Sequence, residues 1–295
     1  MGPLPIDLGS FSEPVRRLWN RMNPCTLCPR QCKVDRGSGK VGFCGIGDMP
    51  VVSSVGPHFG EEGVLVGPGG SGTIFFAGCN LGCVFCQNFD ISHLRHGRPV
   101  TIEQLAGAML ELQRYACSNI NLVTPTHLAA PIAAAIELAR KDGLQIPIVY
   151  NTGGYDSVET LKLLDGFVDI YMPDMKYSHP GVADELSAAP DYPQVNRAAV
   201  KEMHRQVGDL QVINGLATKG LLIRHLVLPE NLAGSLEVID FLAEEISAST
   251  TINVMAQYRP CYNASAHPKI NRQPTQKEIA SARKYAIKKG LNVLL

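Results

Sequence analysis

The sequence has no excess of charge of either sign. Its 27 Lys and Arg residues balance 27 Asp and Glu residues. A strongly basic or acidic chain recruits nucleic acid or an anionic membrane surface through its overall field, and this chain has no such field. The composition therefore argues against nucleic-acid and membrane partners, and we expect any partner to be recognised by local chemistry.

Membrane and export signals are missing as well. No window reaches the roughly 18 continuous apolar residues of a membrane-spanning helix, and the first residues, MGPLPIDLGS, lack the basic-then-apolar pattern of a secretion signal. These absences predict a soluble, cytoplasmic protein. There is also no internal repeat and no low-complexity linker, and 45% apolar against 18% charged residues is typical of a globular chain with a large core.

Cysteine, by contrast, is abundant. The chain has nine cysteines, and the reducing cytosol that we expect argues against a disulfide framework, so metal or redox use is the favoured interpretation. Cys117 and Cys261 stand alone in the sequence. The other seven form a cysteine quartet, Cys25, Cys28, Cys32 and Cys44, and a cysteine triplet, Cys79, Cys83 and Cys86.

After the triplet, apolar strands alternate with amphipathic helices. The pattern predicts strands at 73–78, 120–124, 146–151, 168–174, 222–228 and 252–258, and helices at 101–117, 131–141, 157–164, 193–207, 236–246 and 274–289. Six β-α units in series predict a parallel sheet with helices outside it. Two arrangements stay open at this point, an open doubly wound sheet and a full or partial barrel.

Polar residues favour the barrel. The predicted strands end in TPTH, NTGG, MPD, PEN and QYRP, and barrel enzymes build their sites where the carboxyl ends of several strands converge. We predict an α/β fold in which residues 61–295 form a partial (β/α)6 TIM-like barrel, since eight units do not fit, and residues 1–60 form an N-terminal Cys-rich lobe. The stretch GPGGSG at 67–72 matches the G-x-G-x-x-G pattern of dinucleotide-binding loops. However, it precedes a predicted strand and opens no helix, so the dinucleotide-binding interpretation fails.

The cysteine triplet directly follows the apolar first predicted strand. Thiolates are soft ligands for zinc or iron-sulfur clusters, and three on one loop can hold three corners of a cuboidal [4Fe-4S] cluster. Three ligands leave one iron open, as catalytic zinc sites keep one position open. The spacing therefore favours a catalytic cluster, and a non-catalytic iron-sulfur or zinc protein remains the alternative.

The run CNLGCVFC, with an aromatic residue before its last cysteine, resembles the signature of the radical SAM superfamily. GSGTIFFAGCNLGCVFCQN, VTPTH and QYRP together are similar to the branch around pyruvate formate-lyase activating enzyme, the activases of glycyl radical enzymes. The resemblance covers the chain from about residue 60 onward. It implies that the open iron binds S-adenosylmethionine and that reductive cleavage gives a 5'-deoxyadenosyl radical.

The same resemblance implies partners. The radical would abstract a hydrogen atom from a glycyl radical enzyme or a peptide substrate, and a reductant such as flavodoxin or ferredoxin would supply the electron. Two segments depart from the activase pattern, TPTH and NTGG. The same radical chemistry on a small molecule or another peptide therefore stays open.

Cofactor contacts are implied at successive strand ends. Family members have Gly-Gly-Glu after the second strand, where this chain has VTPTH, so the candidate replacements are Thr124, Thr126 and His127. His127 has a second interpretation as a helix-capping or otherwise satisfied polar side chain. Asn151 and Thr152 are similar to the start of the Asp-Thr-Asn-Gly stretch of the activases.

Three charged residues complete the implied cofactor site. Asp174 and Lys176 match an Asp-x-Lys pair, and Arg224 matches an arginine that binds the cofactor carboxylate. A guanidinium fork suits a carboxylate, but Arg224 pairing with Asp174 is the alternative. Cys261 follows the last strand, where its thiol could donate a hydrogen atom or bind a metal, although a lone cysteine is usually inert packing.

The cysteine quartet closes a metal site, because four thiolates leave no open position. A second [4Fe-4S] cluster and a structural zinc both accept four thiolates. Small lobes with little core often depend on such a centre for folding. The iron-sulfur interpretation is favoured because the neighbouring chemistry needs electrons, and disulfide pairing is a distant third.

Overall fold

The computed structural model describes residues 7–294 of the chain, and ten strands in this part form one sheet. The strands are β1 (Val51–His58), β2 (Ser71–Phe76), β3 (Arg98–Pro99), β4 (Ile120–Val123), β5 (Ile148–Thr152), β6 (Ile170–Pro173), β7 (Gln211–Ile213), β8 (Leu216–Leu226), β9 (Thr251–Met255) and β10 (Asn292–Leu294). The helices are α1 (Glu13–Asn20), α2 (Phe89–Ser92), α3 (Ile102–Arg114), α4 (Ala129–Lys141), α5 (Val158–Leu163), α6 (Pro180–Ser187), α7 (Tyr192–Val207), α8 (Ser235–Phe241) and α9 (Gln276–Lys288).

The order of the strands decides between the two predicted arrangements. It runs β10-β9-β8-β6-β5-β4-β2-β1-β3, with β7 antiparallel to β8. From β2 to β10 the neighbours are parallel and follow chain order. A doubly wound sheet reverses its order at a switch point, and this sheet does not. Its right-handed crossovers all place their helices on one face. The predicted α/β partial barrel is confirmed, and β10 adds a strand to the predicted six.

Local sequence signals fix the helices around the sheet. Thr101 and Gln104 form a capping box at the start of α3, and Thr275 and Glu278 form another at the start of α9. The alanine-rich α4 is almost wholly buried between its neighbours. The helix predicted at 101–117 ends earlier, at Arg114, and the one predicted at 236–246 becomes a π-helical turn at Leu242–Ile246.

The N-terminal segment rests directly on the barrel helices. Val15 and Leu18 of α1 are fully buried and share one hydrophobic core with residues of α4, including Ile132. β1 pairs antiparallel with β2 and so joins the same sheet. The division of the chain at residue 60 stays a prediction.

The interior of the barrel is closed by the loop at 59–66. Leu65 from this loop is fully buried and packs against Val149, Ile170, Met172 and Leu222. Side chains alternate between the two faces of a strand, so these apolar residues share the inner face with the polar residues two positions farther along β5, β6 and β8. No helix within the described residues is long and apolar enough to cross a membrane.

Candidate active site

A cavity of about 270 Å³ opens at the carboxyl ends of the parallel strands, and we call it the mouth cavity. Its lining comes from the segments that end or follow β2, β4, β5, β6, β8 and β9. It brings together nine of the predicted site residues: Cys79, Cys83, Cys86, Thr124, Asn151, Thr152, Asp174, Lys176 and Arg224. The convergence of strand ends expected of a barrel site is therefore present.

The cysteine triplet lies on the loop that leaves β2. Its sulfur atoms have polar neighbours. The Leu81 amide donates to Cys79 Sγ at 3.3 Å, Ser187 Oγ donates to Cys83 Sγ at 3.0 Å, and Cys86 Sγ lies 3.1 Å from Ser92 Oγ. Hydrogen bonds to sulfur stabilise the thiolate form that binds metal.

The chemistry of this donor set fits a [4Fe-4S] cluster. Burial, with the proximity of Cys83, raises the pKa of the Cys79 thiol well above its ordinary value. Burial also raises the pKa of Cys83, although Lys176 opposes the shift. Buried thiolates that repel each other need a soft cationic partner, which the iron-sulfur core provides.

Charged groups in the mouth cavity are paired. The Asp174 carboxylate accepts hydrogen bonds from Lys176 Nζ at 2.6 Å and from Arg224 Nε at 2.9 Å, and Arg224 Nη2 donates to Asn151 Oδ1 at 2.7 Å. Burial alone would raise the pKa of Asp174, but the two cations hold it below its ordinary value. Asp174 is thus the shared partner of both cations.

The ion pair with Asp174 was the alternative that the sequence left open for Arg224. Arg224 also lines the mouth cavity, so its contact with a cofactor carboxylate stays a prediction. A carboxylate entering the cavity would meet the guanidinium group of Arg224, whose fork suits a carboxylate.

Two carboxylates that the sequence did not indicate lie beside Arg224. The coulombic effects of Glu61 and Glu62, from the loop at 59–66, both raise the pKa of Arg224 against the effect of its burial. Burial raises the pKa of Glu61, with Arg224 opposing. Glu62 Oε1 accepts a hydrogen bond from Asn253 Nδ2 at 3.2 Å, and its Oε2 is buried without a partner among the described residues. Glu61 and Glu62 reach Arg224 only because the irregular loop at 59–66 is buried against the barrel. No strand or helix periodicity in the sequence could have predicted this position.

The residues of the turn at 124–127 do not all face the mouth cavity. Thr124, with φ of +62°, lines the mouth cavity. Thr126 points elsewhere: its Oγ1 lies 2.8 Å from Thr152 Oγ1 and donates to Asp156 Oδ1 at 2.8 Å. Asp156 is buried, which raises its pKa to about 6. The sequence did not indicate a role for Asp156, which holds this turn by accepting the hydrogen bond from Thr126.

His127 lies outside the mouth cavity. Its ring is buried, Nε2 donates to the Ala77 carbonyl at 2.9 Å, and the residue lines a second, much smaller cavity. Burial, helped by nearby Arg36, lowers the pKa of His127 to about 3, so the ring is neutral. These contacts satisfy only Nε2 of His127, because its buried Nδ1 has no hydrogen-bond partner among the described residues.

Cys261 also lies outside the lining of the mouth cavity. Its carbonyl accepts a hydrogen bond from the Ala264 amide in a short 3-10 turn. The segment around it crosses the triplet loop, because the Asn263 amide donates to the Val84 carbonyl at 2.9 Å. Phe85 of that loop packs edge-on against Tyr258, with ring centroids 5.5 Å apart.

The cysteine quartet surrounds the second cavity. All four thiols line it, together with Arg30, Arg36 and His127. The nine cysteines are free of disulfides. The quartet is thus brought together in space, as its spacing predicts, at a site separate from the mouth cavity.

Comparison with known proteins agrees with this arrangement. Residues 73–207 match the radical SAM superfamily. The chain is 35% identical over 285 residues to the uncharacterized protein MJ0674 of Methanocaldococcus jannaschii, covering 93% of this chain and 78% of that one. It is 25% identical over 298 residues to MJ0808 of the same organism, covering 90% and 78%.

Among solved structures, Streptococcus suis SuiB bound to the precursor peptide SuiA is similar over 73% of this chain, with a TM-score of 0.49 and 12% identity. The chain spans about half of that protein, 46% of its length. The triplet loop, the mouth cavity at the strand ends and the sequence match agree with one another. The chain therefore carries a radical SAM domain at residues 73–207, and this family implies cleavage of S-adenosylmethionine to a radical at an iron-sulfur cluster.

Proposed function

We propose that this protein abstracts a hydrogen atom from a polypeptide segment, with a glycine of a glycyl radical enzyme as the leading candidate. With a [4Fe-4S] cluster and S-adenosylmethionine bound, the site supplies a 5'-deoxyadenosyl radical by one-electron cleavage of a carbon-sulfur bond. The triplet would hold the cluster by three irons. The protein's own contribution is to bind, to orient and to exclude water.

The charged residues of the mouth cavity suggest which side chain would bind each polar group of S-adenosylmethionine. Arg224, already oriented by Asp174 and Asn151, would bind the carboxylate of S-adenosylmethionine. Lys176 would keep its charge beside the triplet thiolates, since Asp174 and Cys83 both raise its pKa against the effect of burial. Thr124 offers a hydroxyl group for the remaining polar atoms of the cofactor. The Thr152 hydroxyl is already engaged, because it donates to Asp156 Oδ2 at 2.7 Å and accepts a hydrogen bond from the Gly154 amide at 3.1 Å.

The observation that favours a polypeptide substrate is the uncharged rim of the mouth cavity. Gln87, Asn88 and Gln257 line the cavity and are exposed, so their amides can pair with peptide N–H and C=O groups. Beside them, Tyr262 is 39% exposed and stacks on Phe89 at 5.2 Å between ring centroids. Amides with an aromatic face suit a polypeptide chain better than an anionic metabolite.

The partners follow from this chemistry. We propose a one-electron reductant such as flavodoxin or ferredoxin in a reducing cytoplasm, and a second metal centre, a [4Fe-4S] cluster or zinc, at the quartet. No nucleic acid is expected, given the balanced charge.

The test has two stages. Anaerobically reconstituted protein with dithionite is expected to convert S-adenosylmethionine to 5'-deoxyadenosine, and failure would contradict the radical assignment. Incubation with a candidate glycyl radical enzyme is then expected to give a glycyl radical signal in electron paramagnetic resonance. Hydrogen transfer to deoxyadenosine from a small molecule, with no transfer from any polypeptide, would overturn the polypeptide proposal in favour of the small-molecule alternative.

A matched pair of variants tests the rim. Tyr262→Ala removes the aromatic face and is expected to raise the KM for a polypeptide substrate several-fold. Tyr115→Ala is the control, because Tyr115 is 59% exposed but precedes β4 and so lies at the amino ends of the strands, away from the mouth cavity. Equal KM values for the two variants would argue against recognition at this rim.

A further inference from the structure

The sheet ends on one side in a strand whose outer edge is only partly covered. β1 pairs with β2 along one edge, and on its other edge the two residues of β3 reach only Val51 and Val52. Within residues 7–294, the backbone groups of residues 53–58 form no hydrogen bond to any segment other than β2. Unpaired N–H and C=O groups at a sheet edge can pair with a further strand. β3 shows that this edge accepts one.

A groove of about 560 Å³ runs along this open edge, and we call it the edge groove. On its strand wall, Val52 and Val55 pair with Phe76 and Ile74, which belong to the core between sheet and helices. Paired residues point to the same face of a sheet, so the two valines face the helix side. The opposite wall is α3, which contributes Gln104, Gly107, Ala108, Glu111 and Arg114. The edge groove thus lies where a further strand of the sheet would be covered by α3.

Two features of the groove walls have no explanation within the described chain. Val55 is an apolar side chain that is 43% exposed. Gly107 lies in the middle of α3, where glycine destabilises a helix relative to alanine, yet a Cβ at this position would meet nothing within 4 Å. Glycine in a wall allows another backbone to approach closely. An occupant that brings its own backbone against α3 accounts for both features.

The charges of the edge groove favour an acidic occupant. Its lining carries two exposed guanidinium groups, Arg98 and Arg114, against one carboxylate, Glu111. The arginines that form ion pairs in the described part of the chain are others. Arg98 pairs with Val52 near the start of β1, and Arg114 ends α3, so one cation lies at each end of the groove. Acidic side chains would complement this lining.

The dimensions of the groove fit an extended chain of about six residues. The 13 residues of α3 span about 20 Å at 1.5 Å per residue, and six residues of a strand span about the same length. Pro57 has no N–H to donate, so backbone pairing is expected to end before it. The pairing edge is therefore residues 53–56, and the rest of the occupant would contact the groove through side chains.

The edge groove begins at the same end of the sheet as the mouth cavity. Val52 lines the groove, and its partner in β2, Phe76, lines the mouth cavity. Residues paired across antiparallel strands have Cα atoms only about 5 Å apart. One polypeptide can therefore place its reacting residue in the mouth cavity and a neighbouring segment in the groove.

We propose that the edge groove binds an extended, acidic segment of the polypeptide substrate, which adds a strand antiparallel to β1 in line with β3. Backbone hydrogen bonds to the edge supply affinity, and the side chains that contact α3 and the two arginines supply selectivity. The identity of this segment as part of a substrate rests on the proposed function. A second copy of this chain is the competing occupant, and the tests below distinguish the two.

The first test does not depend on radical chemistry. Fluorescein-labelled peptides EVTVTE and KVTVTK are titrated with anaerobically reconstituted full-length protein, and fluorescence anisotropy gives the Kd of each. EVTVTE is expected to bind at least tenfold more tightly than KVTVTK, and Arg98→Glu/Arg114→Glu should reverse this preference. The control is Lys284→Glu/Lys288→Glu, which changes the net charge equally on α9 at the other end of the sheet and should keep the wild-type preference. Equal Kd values of the two peptides for the wild type would overturn the proposal, as would the same loss of preference in both double variants.

The second test blocks the groove without weakening the helix. Gly107→Leu fills the close approach, and leucine is a better helix former than glycine. Its KM for a full-length polypeptide substrate should rise at least tenfold, with no change in kcat or in the KM for a short peptide that holds only the target residue and its neighbours. Glu103→Leu places the same side chain on α3 outside the groove lining and should keep the wild-type KM. An unchanged KM in Gly107→Leu would overturn the proposal.

Two further outcomes separate the alternatives. If no polypeptide is a substrate, the proposed function fails, and the peptide preference of the first test still decides whether the groove binds an acidic strand. Sedimentation analysis of the wild type and Gly107→Leu is expected to give monomers for both. A wild-type dimer that becomes monomeric in Gly107→Leu would show that a second copy occupies the groove and would overturn the substrate segment as its occupant.

Discussion

The two cysteine groups differ in the number of their thiols and in the size of the cavity beside them. The triplet faces a cavity of about 270 Å³ lined by Asp174, Lys176 and Arg224, and three thiolates leave one iron of a cube unligated. The quartet surrounds a much smaller cavity, which all four of its thiols line. The number of thiols and the space beside them therefore distinguish the two sites: the triplet leaves room for a ligand, whereas the quartet does not.

Charge compensation differs between the groups as well. In the mouth cavity, the Asp174 carboxylate pairs with both Lys176 and Arg224, so the positions of the two cations are fixed before a ligand binds. At the quartet, Arg36 has no carboxylate partner among the described residues and donates instead to the backbone carbonyls of Gly47 and His127.

Removing one triplet ligand gives the largest expected effect on activity. Cys83→Ala should lower the rate of deoxyadenosine formation roughly a thousandfold, equivalent to about 4 kcal/mol of lost transition-state stabilisation. Chromatography of deoxyadenosine measures this directly. Cys117→Ala is the control and should keep the wild-type rate. Substantial activity in Cys83→Ala would mean that the two groups do not differ as we describe.

Breaking the charge network should have a large effect on stability. Asp174→Asn leaves Lys176 and Arg224 buried without their carboxylate, and losing one partner of a buried pair costs about 3–5 kcal/mol. Denaturant unfolding of the holoprotein under anaerobic conditions measures this loss. The control is Glu245→Gln, which breaks the half-exposed pair of Glu245 with Lys201 and should leave the free energy of unfolding unchanged. Similar values for the two variants would show that Asp174 is not the centre of the network.

Many residues that line the mouth cavity could be predicted from the sequence, because parallel strands leave a regular apolar pattern whose ends can be located. Asn151, Asp174 and Arg224 each lie at or near the end of an apolar run, and parallel strands bring such ends to one edge. Their side chains share the inner face because strand residues alternate in direction. The triplet was predictable because its three ligands lie on one short loop, where spacing alone limits geometry.

Other parts depend on tertiary contacts that no local pattern records. Arg36 and Glu62 are buried only because irregular loops fold against the barrel. His127 follows Thr124 by three residues, but Thr126–Leu128 form a 3-10 turn, in which each residue rotates the side-chain direction by about 120°. β1 was missed because Gly56 and Pro57 interrupt its strand pattern.

A smaller and more selective change should disturb the quartet alone. In Gly42→Ala the added Cβ would lie 2.7 Å from Cys32 Sγ, so we expect loss of the metal proposed at the quartet, either zinc or about four irons per chain, with the triplet cluster retained. Gly47→Ala is the matched control, since a Cβ there meets nothing within 4 Å and Gly47 has no positive φ. Iron analysis and electron paramagnetic resonance report both. Loss of both clusters in Gly42→Ala would mean that the two sites are not independently assembled.

The smallest expected effect concerns the turn at 124–127 and depends on pH. Asp156 holds the turn at 124–127 through Thr126, and burial raises its pKa from an ordinary value near 3.8 to about 6. The folded state thus binds this proton more tightly than the unfolded state, so its contribution to stability falls as pH rises from about 4 through 6. Between pH 5 and 7.5 the wild type should lose about 1 kcal/mol relative to Asp156→Asn, which cannot ionise. Anaerobic urea unfolding of both proteins at the two pH values measures the difference, and a constant difference would show that Asp156 does not change its charge between pH 5 and 7.5.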